Sequence, residues 1–201
     1  FSAAAMVGDD GAILLYYGAM EQISASSVDS DIRLATSSDG FNFVDHGDVW
    51  THGQSRISTG DEVSPVAALQ RGGMYHIWFM EQSGAWDLWQ ARGQVPVQMS
   101  EDREVADIFM VNASLVELPR STYLMAITDR RTWNVELHSL HGNGLEELGP
   151  VLAVYSWQGY NEGIIFLDQD TGTWFLYQVS DSLEHIVVRT AEVRSAATGW
   201  N

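Results

Sequence analysis

The sequence contains no cysteine and no lysine among its 201 residues, and no run of eighteen apolar residues. Without cysteine, the chain can form no disulfide, no cysteine-bound zinc or iron–sulfur cluster and no thiol nucleophile. Without a long apolar run, it can form no membrane-spanning helix.

Charge of one sign dominates the composition. Ten basic residues, all arginine, face 27 acidic residues, which gives a net charge of −17 at pH 7. Such a surface repels phosphate, so we expect neither nucleic acid nor an anionic membrane as a partner. Apolar types make up 45% of the chain and charged types 18%, a composition typical of a folded protein with a hydrophobic core.

The chain starts with Phe1-Ser2-Ala3-Ala4 and has no basic segment there, so we expect neither a signal peptide nor a transit peptide. We expect both ends to be cut from a longer protein, and no compartment is assigned.

A unit of similar pattern recurs four times, at about residues 1–50, 61–99, 104–152 and 161–201. Each unit has a short apolar run, a turn, a run that alternates aromatic and aliphatic residues, a polar loop and another alternating run. Turns such as Asp9-Asp10-Gly11 and Asp170-Thr171-Gly172 are typical of β-hairpins. A fourth strand is predicted in three units, at 41–44, 95–99 and 145–152.

A period near fifty residues with several short strands per unit is typical of propeller blades. We therefore predict an all-β fold, a single β-propeller domain of four-stranded antiparallel blades. A β-sandwich would use similar strands but would not repeat the same unit four times. Because a blade buries its faces against neighbouring blades, aromatic residues such as Trp78, Phe79, Trp89 and Phe175 are predicted to pack between blades.

In an antiparallel blade, the start of the first strand and the loop between the second and third strands lie at the same end. We expect these ends to share one face of the propeller, with a loop at 20–31 among them. Asp61, Asp107 and Glu162 all precede predicted first strands, so we expect them to converge on the propeller axis. Two carboxyl groups flanking a bond are what the hydrolysis of a glycosidic linkage requires.

Three segments carry a family resemblance. The first is Ala35-Thr36-Ser37-Ser38-Asp39-Gly40-Phe41-Asn42-Phe43, the second is Ser64-Pro65-Val66 with the strands after it, and the third is Asn161-Glu162-Gly163 before the strand at 172–177. In these segments the chain resembles the five-bladed propeller glycosidases, the superfamily that holds glycoside hydrolase families 32, 43, 62, 68 and 130. The resemblance covers nearly the whole chain and implies a five-bladed propeller, of which about four blades are present.

For family 43, the resemblance implies an inverting mechanism in which one Asp is the base, a second Asp orients and tunes, and a Glu is the acid. Glu162 matches the Glu of the family's E-G-P segment. Asp107 starts a first strand, and Ser64 stands at the family's Asp position of the second unit, shortly after Asp61. The predicted catalytic residues are therefore Glu162, Asp107 and Asp61.

Aromatic residues in segments at the same end suit a sugar ligand, because flat aromatic faces pack on the apolar faces of sugar rings. The alternative is that these side chains tuck onto the rim of the fold. The predicted substrate-binding residues are Trp86, Trp133, Trp157, Tyr160 and Glu62.

Motifs for cofactors are missing. The six histidines show no metal-ligand spacing, and there is no P-loop, H-E-x-x-H or G-x-S-x-G segment. We expect no cofactor. The excess of acids would suit a structural Ca²⁺ on the axis, but no calcium-loop motif supports one.

Two classes of function fit these patterns. The first is a glycoside hydrolase acting on an oligo- or polysaccharide by carboxylate acid/base catalysis at the axis. The second is a non-catalytic propeller that binds a glycan or a protein, which the missing family aspartates and the tryptophans favour. A sialidase is less favoured, because only Arg130 and Arg131 gather at this end.

Overall fold

The computed structural model describes residues 3–24, 27–51, 62–82, 86–118, 122–155, 160–168, 170–180 and 186–192, some of them by their backbone alone. Over these ranges the secondary structure consists of fifteen β-strands, and no described segment is a helix that could cross a membrane. The strands form four antiparallel sheets in chain order, and the chain divides into two compact units, Phe1–Phe109 and Met110–Asn201.

Unit 1 contains two four-stranded sheets, each hydrogen-bonded in sequence order. The strands join through tight turns, as at Gly72 and Gly73, whose φ angles of 59° and 78° favour glycine. The first sheet consists of β1 (Ala3–Val7), β2 (Ile13–Ser24), β3 (Ser27–Ser37) and β4 (Val44–Trp50), and the second of β5 (Glu62–Arg71), β6 (Met74–Gln82), β7 (Trp86–Gly93) and β8 (Glu101–Ala106).

The two sheets of unit 1 share a hydrophobic core. Side chains along a strand alternate between the two faces of its sheet. Tyr16 and Leu34 of the first sheet therefore face Ile77 and Phe79 of the second in this core, where all four are buried. Trp50 packs on Phe79 with ring centroids 4.7 Å apart. Each sheet therefore buries one face against the other, as blades of a propeller do.

Unit 2 contains one four-stranded and one three-stranded sheet, again in sequence order. Its core includes Val116 and Leu124 of the first sheet and Ile165 and Leu176 of the second. The sheets consist of β9 (Met110–Leu118), β10 (Thr122–Asp129), β11 (Val135–His141) and β12 (Glu147–Tyr155), and of β13 (Tyr160–Asp168), β14 (Thr173–Ser180) and β15 (Ile186–Glu192).

The last sheet buries one face and exposes the other. Phe166 and Tyr177 are exposed, and Phe175 packs between them with ring centroids 6.2 and 6.3 Å away. Phe175, predicted to lie between blades, is therefore half-buried on the outward face, because strand parity gives the core face to Trp174 and Leu176.

The predicted fold class, an all-β propeller built of antiparallel blade sheets, is confirmed. The fourth strand of the second sheet differs from the prediction at 95–99. There Gln98 N donates to Val95 O over 3.3 Å, so the chain turns and the strand forms later, at β8. That the chain is a single domain truncated at both ends stays a prediction.

The first segment of the family resemblance forms the turn between β3 and β4. The Asp39 carboxylate accepts hydrogen bonds from Phe41 N at 2.9 Å and Asn42 N at 2.8 Å, and also from Asn42 Nδ2 and Ser37 Oγ. These bonds, led by that from the Asn42 backbone, lower the pKa of Asp39. Gly40 completes the turn with a φ of 77°. The segment therefore has a structural role, because its hydrogen bonds hold the turn between β3 and β4.

Candidate functional site

Three carboxyl groups lie in a row across the second sheet, at the end of unit 1 where β5 begins. Glu81 of β6 lies directly opposite Asp87 of β7, and the Asp87 carboxyl hydrogen-bonds to that of Asp107, which follows β8. Ile77 and Phe79 are core residues, so alternation places Glu81 on the core face, and its cross-strand partner Asp87 shares that face. We call Glu81, Asp87 and Asp107 the carboxyl row.

Within the carboxyl row, Asp87 has a raised pKa. Burial raises the pKa of Asp87, and the negative charges of Asp107 and Glu104 and the hydrogen bond with Asp107 raise it further. Asp87 is half-buried and Asp107 exposed, whereas Glu81 is only 2% exposed. A carboxyl whose pKa is raised and which is reached by solvent is suited to act as a general acid.

A hydrogen bond joins the first sheet to the second beside the carboxyl row. Val63 N donates to Ser30 Oγ over 2.6 Å, and Ser30 is 1% exposed. Gly18 permits the contact, because a Cβ there would lie 2.6 Å from Val63 O. Val63 is in turn the cross-strand partner of Glu81. The end of the first sheet is thus held next to the carboxyl row.

The predicted catalytic residues fall in different parts of the chain. Asp107 is described and belongs to the carboxyl row, three residues before β9 begins. Glu162 is described by its backbone and is the extra residue of a β-bulge in β13, between Asn161 and Gly163. Bulges re-aim side chains and recur beside active sites. Asp61 lies outside the described residues, and the convergence of the three acids stays a prediction.

Trp133 is one of the predicted substrate-binding residues. It lies in a turn held by hydrogen bonds, and the structure describes its side chain. It is 40% exposed and has a φ of 57°, rare for a bulky residue. Trp133 N donates to Asp129 O over 2.8 Å, and the Asp129 carboxylate accepts from Arg131 N and Thr132 N, each at 2.8 Å. The turn between β10 and β11 therefore presents an aromatic ring to solvent at a backbone angle that its hydrogen bonds impose.

The other predicted binding residues are less fully described. Glu62 opens β5, is half-buried and pairs with Gln82. Trp86 and Tyr160 are described by their backbones, in β7 and β13, and Trp157 lies outside the described residues. Their role in binding stays a prediction.

Sequence reasoning missed Asp87 and Glu81. The signal that could have found them is hairpin register, because Gln82 and Trp86 close the β6–β7 hairpin and the preceding pair is Glu81 with Asp87. A pairing of two acids across a hairpin is unfavourable, so it marks a position whose side chains have a role other than stability.

The described residues were also searched for metal ligands. Over these ranges no group of three or more His, Asp or Glu side chains is arranged to hold a metal ion.

No protein-family model and no curated protein sequence matches this chain. Solved structures do match it. An exo-β-1,3-galactanase from Clostridium thermocellum superposes with a TM-score of 0.78 at 10% identity, covering 99% of this chain and 46% of that one. An exo-β-1,3-galactanase from Phanerochaete chrysosporium with β-1,3-galactotriose gives 0.73 at 19% identity, covering 99% and 48%.

A family 43 glycoside hydrolase from Xanthomonas citri complexed with xylotriose gives a TM-score of 0.74 at 14% identity, covering 95% of this chain and 69% of that one. The chain thus spans about half the length of the two galactanases. At these identities the similarity is one of fold, and the chain has the β-propeller fold of family 43 glycoside hydrolases.

Proposed function

We propose that this protein is a glycoside hydrolase that cleaves an oligo- or polysaccharide by carboxylate acid/base catalysis. The observation that carries the proposal is the contact between the carboxyl groups of Asp87 and Asp107, with the pKa of Asp87 raised, at the end of a blade in a propeller of the family 43 type. A raised pKa favours the protonated form of a carboxyl, the state that a general acid needs.

The chemistry divides between two groups. Asp87, in its protonated form, donates a proton to the glycosidic oxygen as the bond from that oxygen to the anomeric carbon breaks, and Asp107 lies beside it. A second, ionised carboxylate takes a proton from the water that attacks the anomeric carbon. The family resemblance gives Glu162 the role of the acid, but with Asp87 as the acid, Glu162 and Asp61 become the candidates for this second role. An inverting reaction needs the two groups about 6.5–9.5 Å apart, which leaves room for the water.

The substrate class we propose is a neutral glycan. The net charge of −17 disfavours polyanionic sugars, because like charges repel as the substrate approaches. Neutral oligosaccharides, β-1,3-galactotriose and xylotriose, are the ligands in two of the similar structures. Trp133 offers an apolar ring face for such a sugar.

An assay on a panel of aryl glycosides tests the proposal. We expect the native chain to hydrolyse at least one neutral glycoside. We expect Asp87→Asn and Glu162→Gln each to lower kcat by about 10²–10⁴-fold, the usual contribution of a general acid or base. Asp9→Asn, a change in the β1–β2 turn at the opposite end of unit 1, is the control and should keep full activity. Unchanged turnover in both acid variants would remove these residues from catalysis.

A non-catalytic glycan-binding protein is the second candidate. It is favoured by Ser64, which stands at the family's Asp position and is buried in β5. Binding of neutral oligosaccharides, read by tryptophan fluorescence, with no hydrolysis of any glycoside would select this alternative.

A further inference from the structure

The core of unit 2 contains an amide side chain whose oxygen has no protein partner. Gln178 of β14 is 2% exposed, and in the part of the chain that the structure describes no group donates a hydrogen bond to its Oε1. Leu176 belongs to the core of unit 2, and alternation along β14 places Gln178 on the same face. Because a buried acceptor without a donor costs free energy, such a group points to a role other than packing.

The layer between the two sheets of unit 2 becomes polar at the end where β9 and β13 begin. Ser114 Oγ joins the sheets at Ile165, whose N donates to it over 3.1 Å. Closer to this end, Thr128 is 0% exposed and shares a face with Ala126, a core residue. In the other sheet, Gln178 takes the corresponding place. The amide therefore lies in the polar end of this core.

Register places Gln178 beside the β-bulge that contains Glu162. Gly163 is the cross-strand partner of Gln178, and Asn161 is that of Val179, the next residue of β14. Glu162, described by its backbone, is the extra residue between these two pairs. Residues directly opposite each other in an antiparallel pair have Cα atoms about 4.5–5.5 Å apart. The buried amide and the backbone of a candidate base are therefore neighbours within unit 2.

The chemistry of these two groups favours water as the molecule that joins them. An ionised carboxylate has acceptor oxygens only, so a base in this state cannot donate a hydrogen bond to Gln178. A water molecule donates through both of its hydrogens and can therefore bridge two acceptors. Buried waters typically make about three hydrogen bonds to polar groups that lack a protein partner, and such bridges are enthalpically nearly as good as direct bonds.

We propose that Gln178 is a positioning residue that holds the attacking water against Glu162. This inference rests on the proposed glycoside hydrolase function, with Glu162 as the base. The water donates one hydrogen bond to Gln178 Oε1 and one to the Glu162 carboxylate, which directs its oxygen at the anomeric carbon. Glutamine orients an attacking water in this way in GTP hydrolysis.

The balance of the step leaves Gln178 unchanged. The bond from the water oxygen to the anomeric carbon forms while the bond from that carbon to the glycosidic oxygen breaks, and Glu162 takes the proton that the water loses. Gln178 accepts a hydrogen bond throughout and exchanges no proton. Its contribution is the orientation of the water, so its loss should lower kcat and leave KM nearly unchanged.

Two variants at position 178 and one control test this role. Gln178→Met keeps the length of the side chain and removes the amide, whereas Gln178→Glu keeps an acceptor oxygen at the same reach. The control is Gln70→Met, the same chemical change in a half-buried glutamine near the end of β5, whose Nε2 donates to Asp9 Oδ2 over 2.7 Å.

The first measurement is kcat and KM on neutral aryl glycosides, with the Tm of each variant. We expect Gln178→Met to lower kcat about 10²-fold with KM within about twofold of the native value, and Gln178→Glu to retain about tenfold more kcat than Gln178→Met. The Tm of Gln178→Met should stay within about 2 °C of the native value, because methionine leaves no acceptor in the core. A loss of kcat no larger than that of Gln70→Met would overturn the proposal and leave the proposed function standing.

A crystal structure of the native chain is the second measurement and does not depend on activity. We expect an ordered water within about 3.2 Å of both Gln178 Oε1 and a Glu162 carboxylate oxygen. A structure without a water that bridges these two groups would overturn the proposal. If the native chain cleaves no glycoside, the proposed hydrolysis is wrong, and this structure then decides the water site alone: a bridging water supports the site, and its absence overturns it.

Discussion

The carboxyl of Asp87 hydrogen-bonds to that of Asp107, although the first lies in β7 and the second follows β8. The contact brings two acids together on a surface where acids greatly outnumber bases. It raises the pKa of Asp87 and costs stability when Asp87 is ionised, a combination that recurs at catalytic sites.

Asp87→Asn should separate activity from stability. Because the folded chain raises the pKa of Asp87, ionising it disfavours folding, and this cost is fully present at pH values above the raised pKa. The amide removes the charge while keeping the shape. For a half-buried group screened by water, we expect a gain at pH 7 of roughly 0.5 kcal/mol, about 1–2 °C in Tm. Calorimetric melts at pH 7 and pH 4 check this, and the gain should shrink at the lower pH.

Asp45→Asn is the matched control for that experiment. Hydrogen bonding from Gly47 N lowers the pKa of Asp45 most, burial opposes it, and the charge of Arg33 lowers the pKa further, so the net shift is downward. The ionised form therefore stabilises the fold, and the amide should lower Tm at pH 7. A fall in Tm for Asp87→Asn equal to that for Asp45→Asn would contradict the reasoning about the carboxyl row.

Asp39→Ala should give a pH-dependent loss of stability. The folded pKa of Asp39 lies below its unfolded value, so the ionised carboxylate stabilises the turn above about pH 4, and the effect is lost as the pH falls towards the folded pKa. We expect a lower Tm than the native chain at pH 7 and a smaller difference at pH 2.5. Thermal melts by circular dichroism at the two pH values test this. A difference that does not change with pH would show that the hydrogen bonds to the carboxylate are not its cause.

Ser30→Ala and Ser114→Ala should destabilise the two units by similar amounts. Ser30 Oγ accepts from Val63 N in unit 1, and Ser114 Oγ accepts from Ile165 N over 3.1 Å in unit 2. Each change leaves a buried backbone N–H without its partner, at a cost of about 1–3 kcal/mol. Urea unfolding measures the losses. Thr122→Ala, an exposed change in β10, should stay within about 0.5 kcal/mol, and losses no larger than this for the serines would contradict the prediction.

Trp133→Gly should stabilise the chain and weaken sugar binding. Glycine adopts a φ of 57° without strain, whereas a residue with a Cβ pays about 1–2 kcal/mol there. Trp133→Ala removes the ring and keeps the strain, so it separates the two effects. We expect both variants to bind oligosaccharides more weakly, by calorimetry, and only the glycine variant to gain Tm. Undiminished binding in both variants would remove Trp133 from the sugar site.

Much of the fold could be predicted from local pattern. β1 (Ala3–Val7) forms where its apolar run ends at a turn, and Gly11 there has a φ of 81°. Period-two alternation and glycine turns fix strands locally, so the repeated unit was sufficient to predict blade sheets.

The length of the β2–β3 hairpin could not be predicted in this way. Residues 20–31, rich in Ser and Asp, were predicted to be a loop, yet β2 continues to Ser24 and β3 begins at Ser27. Cross-strand backbone hydrogen bonds stabilise this end of the hairpin, and the strand propensities of single residues do not reveal such bonds. The pairing of Asp87 with Asp107 escaped prediction for a related reason, because it depends on the late start of β8 at Glu101.

Proton NMR of a neutral oligosaccharide mixture, β-1,3-galactan and xylan fragments, incubated with the native chain tests the central claim most directly. The account predicts new reducing-end anomeric signals that form at least 100-fold more slowly with Asp87→Asn, while that variant melts no lower than the native chain. Equal rates of signal formation for the native chain and Asp87→Asn, or no new signals from the native chain, would contradict it.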